Sequence, residues 1–338
     1  MKTKLIICLL LLASPLFAEH FPICMYGVNN PEDIPLLKKA GFNCIQTYHK
    51  SPEKLAPLAQ SARENGMAVV FYAEQVIGSE YQNAAKDWPI LAWYLVDEPN
   101  VHKWLRQRVA YAHYITQTAF PMHKTTLVIG EGKTNIPYYD LSDTLMVDWY
   151  PVPHLALTSF GDNVRFAKEG QKAMNVGHRP LWGVVQIFNW KEYKQYRPDN
   201  DRIGRFPTED EIRFMSYDGI VNGAEGLFYF IFTTYNKTLP QAQPEWWARV
   251  EAVSKELNKL LPVLENGTLT ENPVSVPEPL AAQTRLYKKN LYIILINRSD
   301  KPVDVPPALL KRKYKSLFGT KKTAQIPAYS VWVLKRKK

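Results

Sequence analysis

The chain has 338 residues, a formal net charge of +10, and a composition that is 46% hydrophobic, 12% aromatic and 22% charged. This composition excludes a disordered, collagenous or disulfide-stapled chain, because enough apolar side chains are present to bury a large core. The length exceeds one small module and fits a domain of about 250 residues followed by a smaller unit.

The first 18 residues have the three parts of a secretory signal peptide. Lys2 and Lys4 precede an apolar run over residues 5–12, and small residues then lead to Ala18. We expect cleavage before Glu19, and therefore a secreted or periplasmic protein. The apolar run is shorter than the roughly 20 residues that span a bilayer. An uncleaved anchor is therefore the lesser alternative, and no later stretch predicts a membrane span.

The basic charge is concentrated towards the carboxyl terminus. Residues 268–338 contain fifteen Lys and Arg against four acids, a net charge of +11, whereas residues 19–267 carry −3. An exported chain without a nucleic-acid-binding motif is not expected to bind nucleic acid. The tail charge predicts attraction to an anionic envelope polymer, and the alternative is a set of solvated lysines without a partner.

Hydrophobic runs alternate with amphipathic segments along residues 21–233, as a parallel α/β sheet requires. Ser51 with Pro52 predicts one helix start, and Thr208 with Glu211 predicts another as a capping box. The segment between the fifth and sixth strands leaves little room for a full helix. The predicted strands are 21–28, 42–49, 67–74, 90–98, 124–130, 144–150, 180–188 and 227–233, and the main helices are 31–40, 52–65, 101–118, 160–176, 208–222 and 244–264.

Eight strands in this order predict an α/β fold of the (β/α)8 TIM-barrel type over residues 19–267. An open doubly wound sheet is the alternative, but no Gly-rich phosphate loop follows any strand. After residue 267 the pattern changes to short apolar runs separated by Lys, Asn, Asp and Gly turns. We expect a small all-β, sandwich-like domain over residues 268–338.

Cys24 and Cys44 fall on neighbouring predicted strands and lack the spacing of metal ligands. Export would permit a disulfide between them, but two buried thiols are the favoured interpretation. The histidines are scattered, with no HxH or HExxH spacing. We therefore expect no metal site and no cofactor.

The carboxyl ends of barrel strands carry the working residues of this fold, so the ends of the predicted strands supply a set of candidates. Several are carboxylates among aromatic rings, a combination that suits a sugar, because rings stack on pyranose C–H faces while carboxylates bind hydroxyls and move protons. The candidates are Tyr26, Tyr48, His49, Glu74, Asp97, Glu98, Glu131, Asp148, Tyr150, Gln186, Trp190 and, on the eighth strand, Tyr229 or Phe232.

The segment Trp93-Tyr94-Leu95-Val96-Asp97-Glu98-Pro99-Asn100 resembles the fourth-strand signature of the retaining (β/α)8 glycoside hydrolase superfamily. In that superfamily an Asn-Glu-Pro or Asp-Glu-Pro triplet presents the acid/base, and Glu98 matches this position. The resemblance extends weakly over residues 21–260, including Val147-Asp148-Trp149-Tyr150-Pro151. The alternative interpretation of Asp97 and Glu98 is a helix-capping pair beside Pro99.

The superfamily also places a nucleophilic Glu at the end of the seventh strand, where this chain has Gln186. An amide cannot form the glycosyl ester of a retaining mechanism, so another carboxylate serves, the enzyme inverts, or the protein does not catalyse. A further alternative is that Asp97 orients an attacking substrate acetamide. Asp148 is the preferred partner of Glu98, with Glu131 as a second choice. Because the fourth and sixth strands are not neighbours, we expect the longer carboxyl separation, of about 6.5 to 9.5 Å, that inversion needs.

These observations predict an exported glycoside hydrolase-like protein that acts on glycosidic bonds of an oligo- or polysaccharide. Glu98 would be the general acid/base and Asp148 the second catalytic carboxylate. The other candidates would contact the carbohydrate. The alternative is a non-catalytic carbohydrate-binding pseudoenzyme of the cell envelope, which Gln186 favours.

Overall fold

The computed structural model describes residues 21–133, 136–192, 204–234 and 237–337. The predicted signal peptide at residues 1–18 lies outside this part of the chain. Within it, no helix is both long enough and apolar enough to cross a membrane.

Eight parallel strands close into a barrel in sequence order, with the first strand paired to both the second and the eighth. This confirms the predicted TIM barrel. The strands begin within about two residues of the predicted starts but end earlier, so that several candidate residues lie in the loops that follow them. The barrel strands are β1 (Ile23–Met25), β2 (Cys44–Gln46), β3 (Ala68–Tyr72), β4 (Ile90–Tyr94), β5 (Thr125–Ile129), β6 (Thr144–Asp148), β7 (Leu181–Gln186) and β8 (Leu227–Phe230).

Side chains alternate between the inside of the barrel and the helical layer, as the two-residue period of a strand requires. On β7, Trp182 and Val184 belong to the interior cluster, whereas Leu181 and Val185 pack with the surrounding helices. The interior cluster consists of apolar and aromatic side chains, and its tyrosines, Tyr26, Tyr72 and Tyr94, lie towards the carboxyl ends of the strands.

Helices surround the barrel, and their starts follow the local sequence. The Thr208 side chain accepts a hydrogen bond from the Glu211 backbone, and the Glu211 side chain accepts one from the Thr208 backbone, which confirms the capping box. Between β5 and β6, no helix lies within residues 130–133 and 136–143. The helices of the barrel are α1 (Ile34–Lys39), α2 (Pro52–Glu64), α3 (Gln82–Ala85), α4 (Arg106–Ala119), α5 (Ser159–Ala173), α6 (Glu209–Val221), α7 (Leu239–Ala242) and α8 (Pro244–Asn266), with single 3-10 turns at Pro31–Asp33 and Trp190–Glu192.

A β domain follows α8. Its main sheet is antiparallel, in the order β11-β12-β13-β17-β15, and β14 pairs with β16 in a second small sheet. This confirms the predicted all-β unit. The elements after β8 are β9 (Thr233–Thr234), β10 (Lys237–Thr238), β11 (Thr268–Thr270), β12 (Leu280–Tyr287), β13 (Asn290–Asn297), β14 (Val303–Asp304), α9 (Pro307–Leu310), β15 (Lys315–Ser316), β16 (Gln325–Ile326) and β17 (Val331–Lys337).

The main sheet of the β domain is buried on both faces. One face packs against β14, β16 and α9 through residues such as Ile293 and Trp332. The other face contributes Ile294 and Val333 to the core that it shares with the barrel helices. The domain is therefore held against α6 and α8.

Cys24 and Cys44 are cross-strand partners on β1 and β2, and they form a disulfide. The interpretation as two buried thiols was therefore wrong. Both side chains point into the barrel interior, where the register of two parallel strands brings their Cα atoms to 4.3 Å.

Candidate active site

The loop after β4 presents Glu98 at the carboxyl end of the barrel. β4 ends at Tyr94, and α4 begins at Arg106 rather than at the predicted residue 101, so Asp97 and Glu98 lie in a loop. The backbone N–H groups of Val101 and His102 both donate to the Glu98 carbonyl. Glu98 has a φ of +41°, a conformation that non-glycine residues adopt rarely and that concentrates at functional sites.

Gly130, just after β5, makes room for the Glu98 side chain. A Cβ atom at residue 130 would lie 2.5 Å from Glu98 Oε1 and 2.6 Å from a methyl group of Val101. The Gly130 N–H also donates to the side chain of Asn100 at 3.1 Å, which ties the two loops together. Glu98 can therefore extend across the end of β5 towards β6 because this position has no side chain.

The last residue of β6, Asp148, meets Glu98, and the two carboxyl groups hydrogen-bond each other. Asp148 is 8% exposed, and the Tyr150 hydroxyl donates to its Oδ2 at 3.2 Å. Two carboxyl groups in direct contact must share a proton, because two carboxylates would repel each other and neither could donate. The expected separation of 6.5 to 9.5 Å was therefore wrong.

Burial dominates the electrostatics of this pair. It raises the pKa of Asp148 well above its usual value, and the negative charges of Glu98 and Asp97 raise it further. Burial also raises the pKa of Glu98, with Asp97 as the next cause, whereas the hydrogen bond between the two carboxyl groups lowers the pKa of Glu98 and raises that of Asp148. The pair therefore retains a proton at a pH at which exposed carboxyl groups are ionised, which is the condition for a general acid.

Asp97 is held by Tyr94, which packs against Tyr72; the sequence analysis singled out neither tyrosine as a candidate. The Tyr94 hydroxyl donates to Asp97 Oδ1 at 2.7 Å, and the Tyr72 ring lies 4.8 Å from the Tyr94 ring. Burial and the Asp97 charge raise the pKa of Tyr94, so its hydroxyl remains a donor. Tyr26 lies below this group, 2% exposed, with its hydroxyl donating to the sulfur of Met146 at 3.1 Å. The inward alternation along β3 and β4 could have identified Tyr72 and Tyr94.

Aromatic rings line the opposite side of the mouth, after β6, β7 and β8. Tyr150 stacks on Phe230 with ring centroids 5.5 Å apart, and Phe188 lies 4.9 Å from Trp190. Tyr150 and Trp190 are half-buried, so part of each ring can meet a ligand. Phe230 was missed because the strand phase was misjudged. The two predicted alternatives, Tyr229 and Phe232, are fully buried and pack towards the helices.

Gln186 occupies the end of β7 but is not open to a ligand. It is fully buried, and its amide donates to the carbonyls of Val152 and Phe188 at 2.8 and 3.2 Å. Its Oε1 accepts from the Val152 N–H at 2.8 Å. The prediction that Gln186 contacts substrate is therefore corrected. The side chain closes the loop after β6 onto β7.

The remaining predicted residues lie farther out. Tyr48 is 38% exposed, and its ring centroid is 6.1 Å from that of Tyr26. Glu74 is exposed and pairs with Lys50 at 3.3 Å, and Glu131 pairs with Lys133 at 2.8 Å. These three residues can form the rim of a cleft.

His49 lines a separate cavity of about 580 Å³, together with Asn29, Lys54 and Thr233. Burial and the nearby charge of Lys54 lower the pKa of His49, which keeps its ring neutral. Among the described residues, including those of this cavity, no cluster of three or more His, Cys, Asp or Glu side chains could hold a metal ion.

Solved structures with a similar fold include several glycoside hydrolases. Amy13B from Eubacterium rectale has a TM-score of 0.62 at 10% identity, covering 94% of this chain and 96% of that one. A family 5 glycoside hydrolase from Bacteroides vulgatus has a TM-score of 0.60 at 12% identity, with 93% and 89% covered. A GH30 endoxylanase from Clostridium papyrosolvens has 0.55 at 13% identity, with 95% and 96% covered.

No protein-family profile and no curated protein sequence matches the chain. At such low identities the similarity concerns the fold. The chain therefore has a (β/α)8 barrel fold similar to that of these enzymes, followed by a small β domain.

Proposed function

We propose that the protein is a glycoside hydrolase that cleaves glycosidic bonds of an oligo- or polysaccharide. The observation that carries this proposal is the buried, proton-sharing pair of Glu98 and Asp148 at the carboxyl end of the barrel. Tyr150 and Trp190 beside the pair supply the ring faces that a sugar needs.

Glu98 is proposed as the general acid/base. The raised pKa values of the two carboxyl groups keep one proton on the pair, and the Glu98 side chain is 28% exposed, so it can deliver this proton to a glycosidic oxygen. Transfer of this proton to the oxygen accompanies cleavage of the bond between that oxygen and the anomeric carbon. The loop geometry, with Gly130 behind the carboxyl group, directs the acid towards the mouth.

Asp148 is proposed as the nucleophile. Direct contact between the two carboxyl groups leaves no room for a water molecule between them, which is closer to the separation of about 5 Å in retaining enzymes than to that in inverting ones. For Asp148 to attack, the shared proton must reside on Glu98. The Asp148 carboxylate would then form an ester with the anomeric carbon as Glu98 gives this proton to the departing glycosidic oxygen. Water that has lost a proton to Glu98 would then displace Asp148. This route does not need a carboxylate at Gln186.

The test uses Glu98→Gln and Asp148→Asn, with Glu169→Gln on the outer helix α5 as the matched control. Glu98→Gln should lower kcat/KM by about 10²- to 10⁴-fold on glycosides with poor leaving groups and much less on dinitrophenyl glycosides, which do not need protonation. Proton NMR of the first-formed product should show the retained anomer. Unchanged activity of either variant would overturn the assignment, and an inverted product would refute Asp148 as the nucleophile.

A second candidate function is non-catalytic carbohydrate binding. It is favoured by the buried amide of Gln186 where a carboxylate would be expected. No turnover on a broad glycan panel, combined with oligosaccharide binding that Glu98→Gln leaves unchanged, would support this candidate over hydrolysis.

We also propose export, directed by residues 1–18. The Cys24–Cys44 disulfide supports it, because disulfides persist in oxidising compartments. Recovery of the protein outside the cytoplasm with Glu19 at its amino terminus would meet this expectation, whereas an intact leader on a cytoplasmic protein would contradict it. In the envelope, the +11 charge of residues 268–338 would favour contact with an anionic polymer.

A further inference from the structure

One end of the β domain's main sheet concentrates positive charge. The hairpin between β12 and β13 turns at Lys288 and Lys289, and the neighbouring strand ends contribute Lys315, Lys335 and Lys337. Lys335 is half-buried and the other four are exposed. These five residues are called the lysine surface below.

The hairpin turn adopts a backbone conformation that lysine does not favour. Lys288 and Lys289 have φ values of +45° and +60°, and Tyr287 pairs directly with Asn290 across them. A two-residue turn with both φ values positive normally contains Asn-Gly, Asp-Gly or Gly-Gly. Two lysines in this conformation cost stability without adding any contact to the core, so the turn has a composition that folding alone does not explain.

The strand register brings further lysines together. Lys315 on β15 and Lys335 on β17 are cross-strand partners, and Lys337 is the partner of Asn290, next to the turn. Directly opposite side chains in an antiparallel pair have Cβ atoms about 5 Å apart, and like charges there are destabilising. An anion that contacts both ammonium groups would remove this repulsion.

No carboxylate of the described residues pairs with the lysine surface. Within the residues that the structure describes, the β domain forms salt bridges through Arg298, to Asp162 and Asp218. Glu278 precedes β12 and Asp300 follows β13, so both lie at the opposite end of the hairpin. Within the described residues, none of these five lysines forms a salt bridge.

Two tyrosines orient two lysines of the lysine surface without neutralising them. The Lys288 ammonium lies 5.1 Å from the centre of the Tyr287 ring, and the Lys335 ammonium lies 5.4 Å from that of Tyr292. The two rings are themselves 6.4 Å apart. Cation–π contacts at these distances orient an ammonium group but leave its charge and its N–H donors available.

We propose that the lysine surface binds an acidic polysaccharide, with the lysines contacting its carboxylates. The choice of a polysaccharide rests on the proposed function. A glycan held by the lysine surface would present its glycosidic bonds to the barrel at a higher effective concentration. A membrane is the less favoured partner. Leu269 is the one large apolar side chain that is exposed in residues 268–337, and it lies outside the lysine surface.

The experiment measures binding of polygalacturonate, with dextran as the neutral comparison, to the full chain carrying Glu98→Gln. Binding is a readout separate from hydrolysis, so failure of this inference and failure of the proposed function are distinguishable. The test variant is Lys288→Gln/Lys289→Gln/Lys335→Gln. The matched control is Lys39→Gln/Lys172→Gln/Lys301→Gln, which removes the same charge from exposed positions elsewhere.

We expect polygalacturonate to bind at 0.1 M salt and to be released at 1 M, because the Debye length falls from about 10 to about 3 Å. The test variant should weaken binding about tenfold, the sum of three charge contacts at the surface, while the control variant stays close to the parent. Replacement of the same three lysines by arginine should preserve binding, and an unchanged unfolding midpoint would show that the glutamine variant is folded.

Three results would overturn the proposal. One is that the control variant weakens polygalacturonate binding as much as the test variant does, which would show that only the net charge of the protein matters. Another is equal binding of dextran, which would make it independent of carboxylates. The third is binding of phosphatidylglycerol vesicles or duplex DNA that requires these lysines, combined with binding of polygalacturonate that does not.

Discussion

Arg298 connects the β domain to the barrel through a buried ion pair. Its Nε donates to Asp218 Oδ1 at 2.8 Å, and its Nη2 donates to Asp162 Oδ1 at 2.9 Å. Asp218, on α6, is fully buried and also accepts from the Gly161 N–H at 3.2 Å. Replacing Arg298 by Met keeps most of the apolar stem and leaves the Asp218 carboxyl group buried without its cation.

We expect Arg298→Met to lower the free energy of unfolding by about 3 to 5 kcal/mol at pH 8, where Asp218 is ionised beside Arg298 and would lose its cation. Burial raises the pKa of Asp218 to about 7, and Arg298 acts against that rise. Without Arg298 the pKa rises further. An Asp whose folded-state pKa lies above its unfolded value takes up a proton on folding, and its stabilising contribution is lost as pH rises through the folded pKa. The deficit of the variant should therefore be larger at pH 8 than at pH 5.

Urea unfolding at pH 5 and pH 8 measures both values. Arg312→Met, on an exposed loop of the β domain, is the control and should change stability by less than about 0.5 kcal/mol. Adding Asp218→Asn to Arg298→Met should recover part of the loss at pH 8, because the buried charge is then absent. A deficit below about 1 kcal/mol at pH 8, or the same deficit at both pH values, would refute the reasoning.

Two further predictions concern the mouth of the barrel. Gln186→Glu should destabilise the protein by about 1 to 3 kcal/mol, because a carboxylate cannot donate to the carbonyls of Val152 and Phe188. The midpoint of thermal unfolding should fall further at pH 8 than at pH 5. An unchanged midpoint would contradict the role given to the buried hydrogen bonds of Gln186. Asp97→Asn should shift the alkaline limb of the kcat/KM profile to lower pH, because the Asp97 charge raises the pKa of Glu98. A limb that stays in place or moves to higher pH would exclude that coupling.

Much of the fold could be predicted from the sequence because its signals are local. Eight apolar runs with intervening amphipathic segments specify the strands and helices of a barrel. Thr208 and Glu211 specify a helix start through hydrogen bonds three residues apart. Glu98 could also be identified, because its neighbours along the chain form a recognisable triplet at a strand end.

The partners of Glu98 were decided by the tertiary structure. Its contact with Asp148 joins the end of β6 to the loop after β4, and it requires that residue 130, after β5, have no Cβ atom. No local sequence pattern encodes this arrangement of three strand ends. The tertiary structure also decided the role of Gln186, whose side chain bonds the carbonyls of Val152, after β6, and Phe188. The Cys24–Cys44 pairing likewise depends on the register of β1 and β2. Residue types and spacing determine which groups reach the carboxyl end of a barrel. Distances between them depend on strand ends, loop paths and neighbouring side chains, which only the packed chain determines.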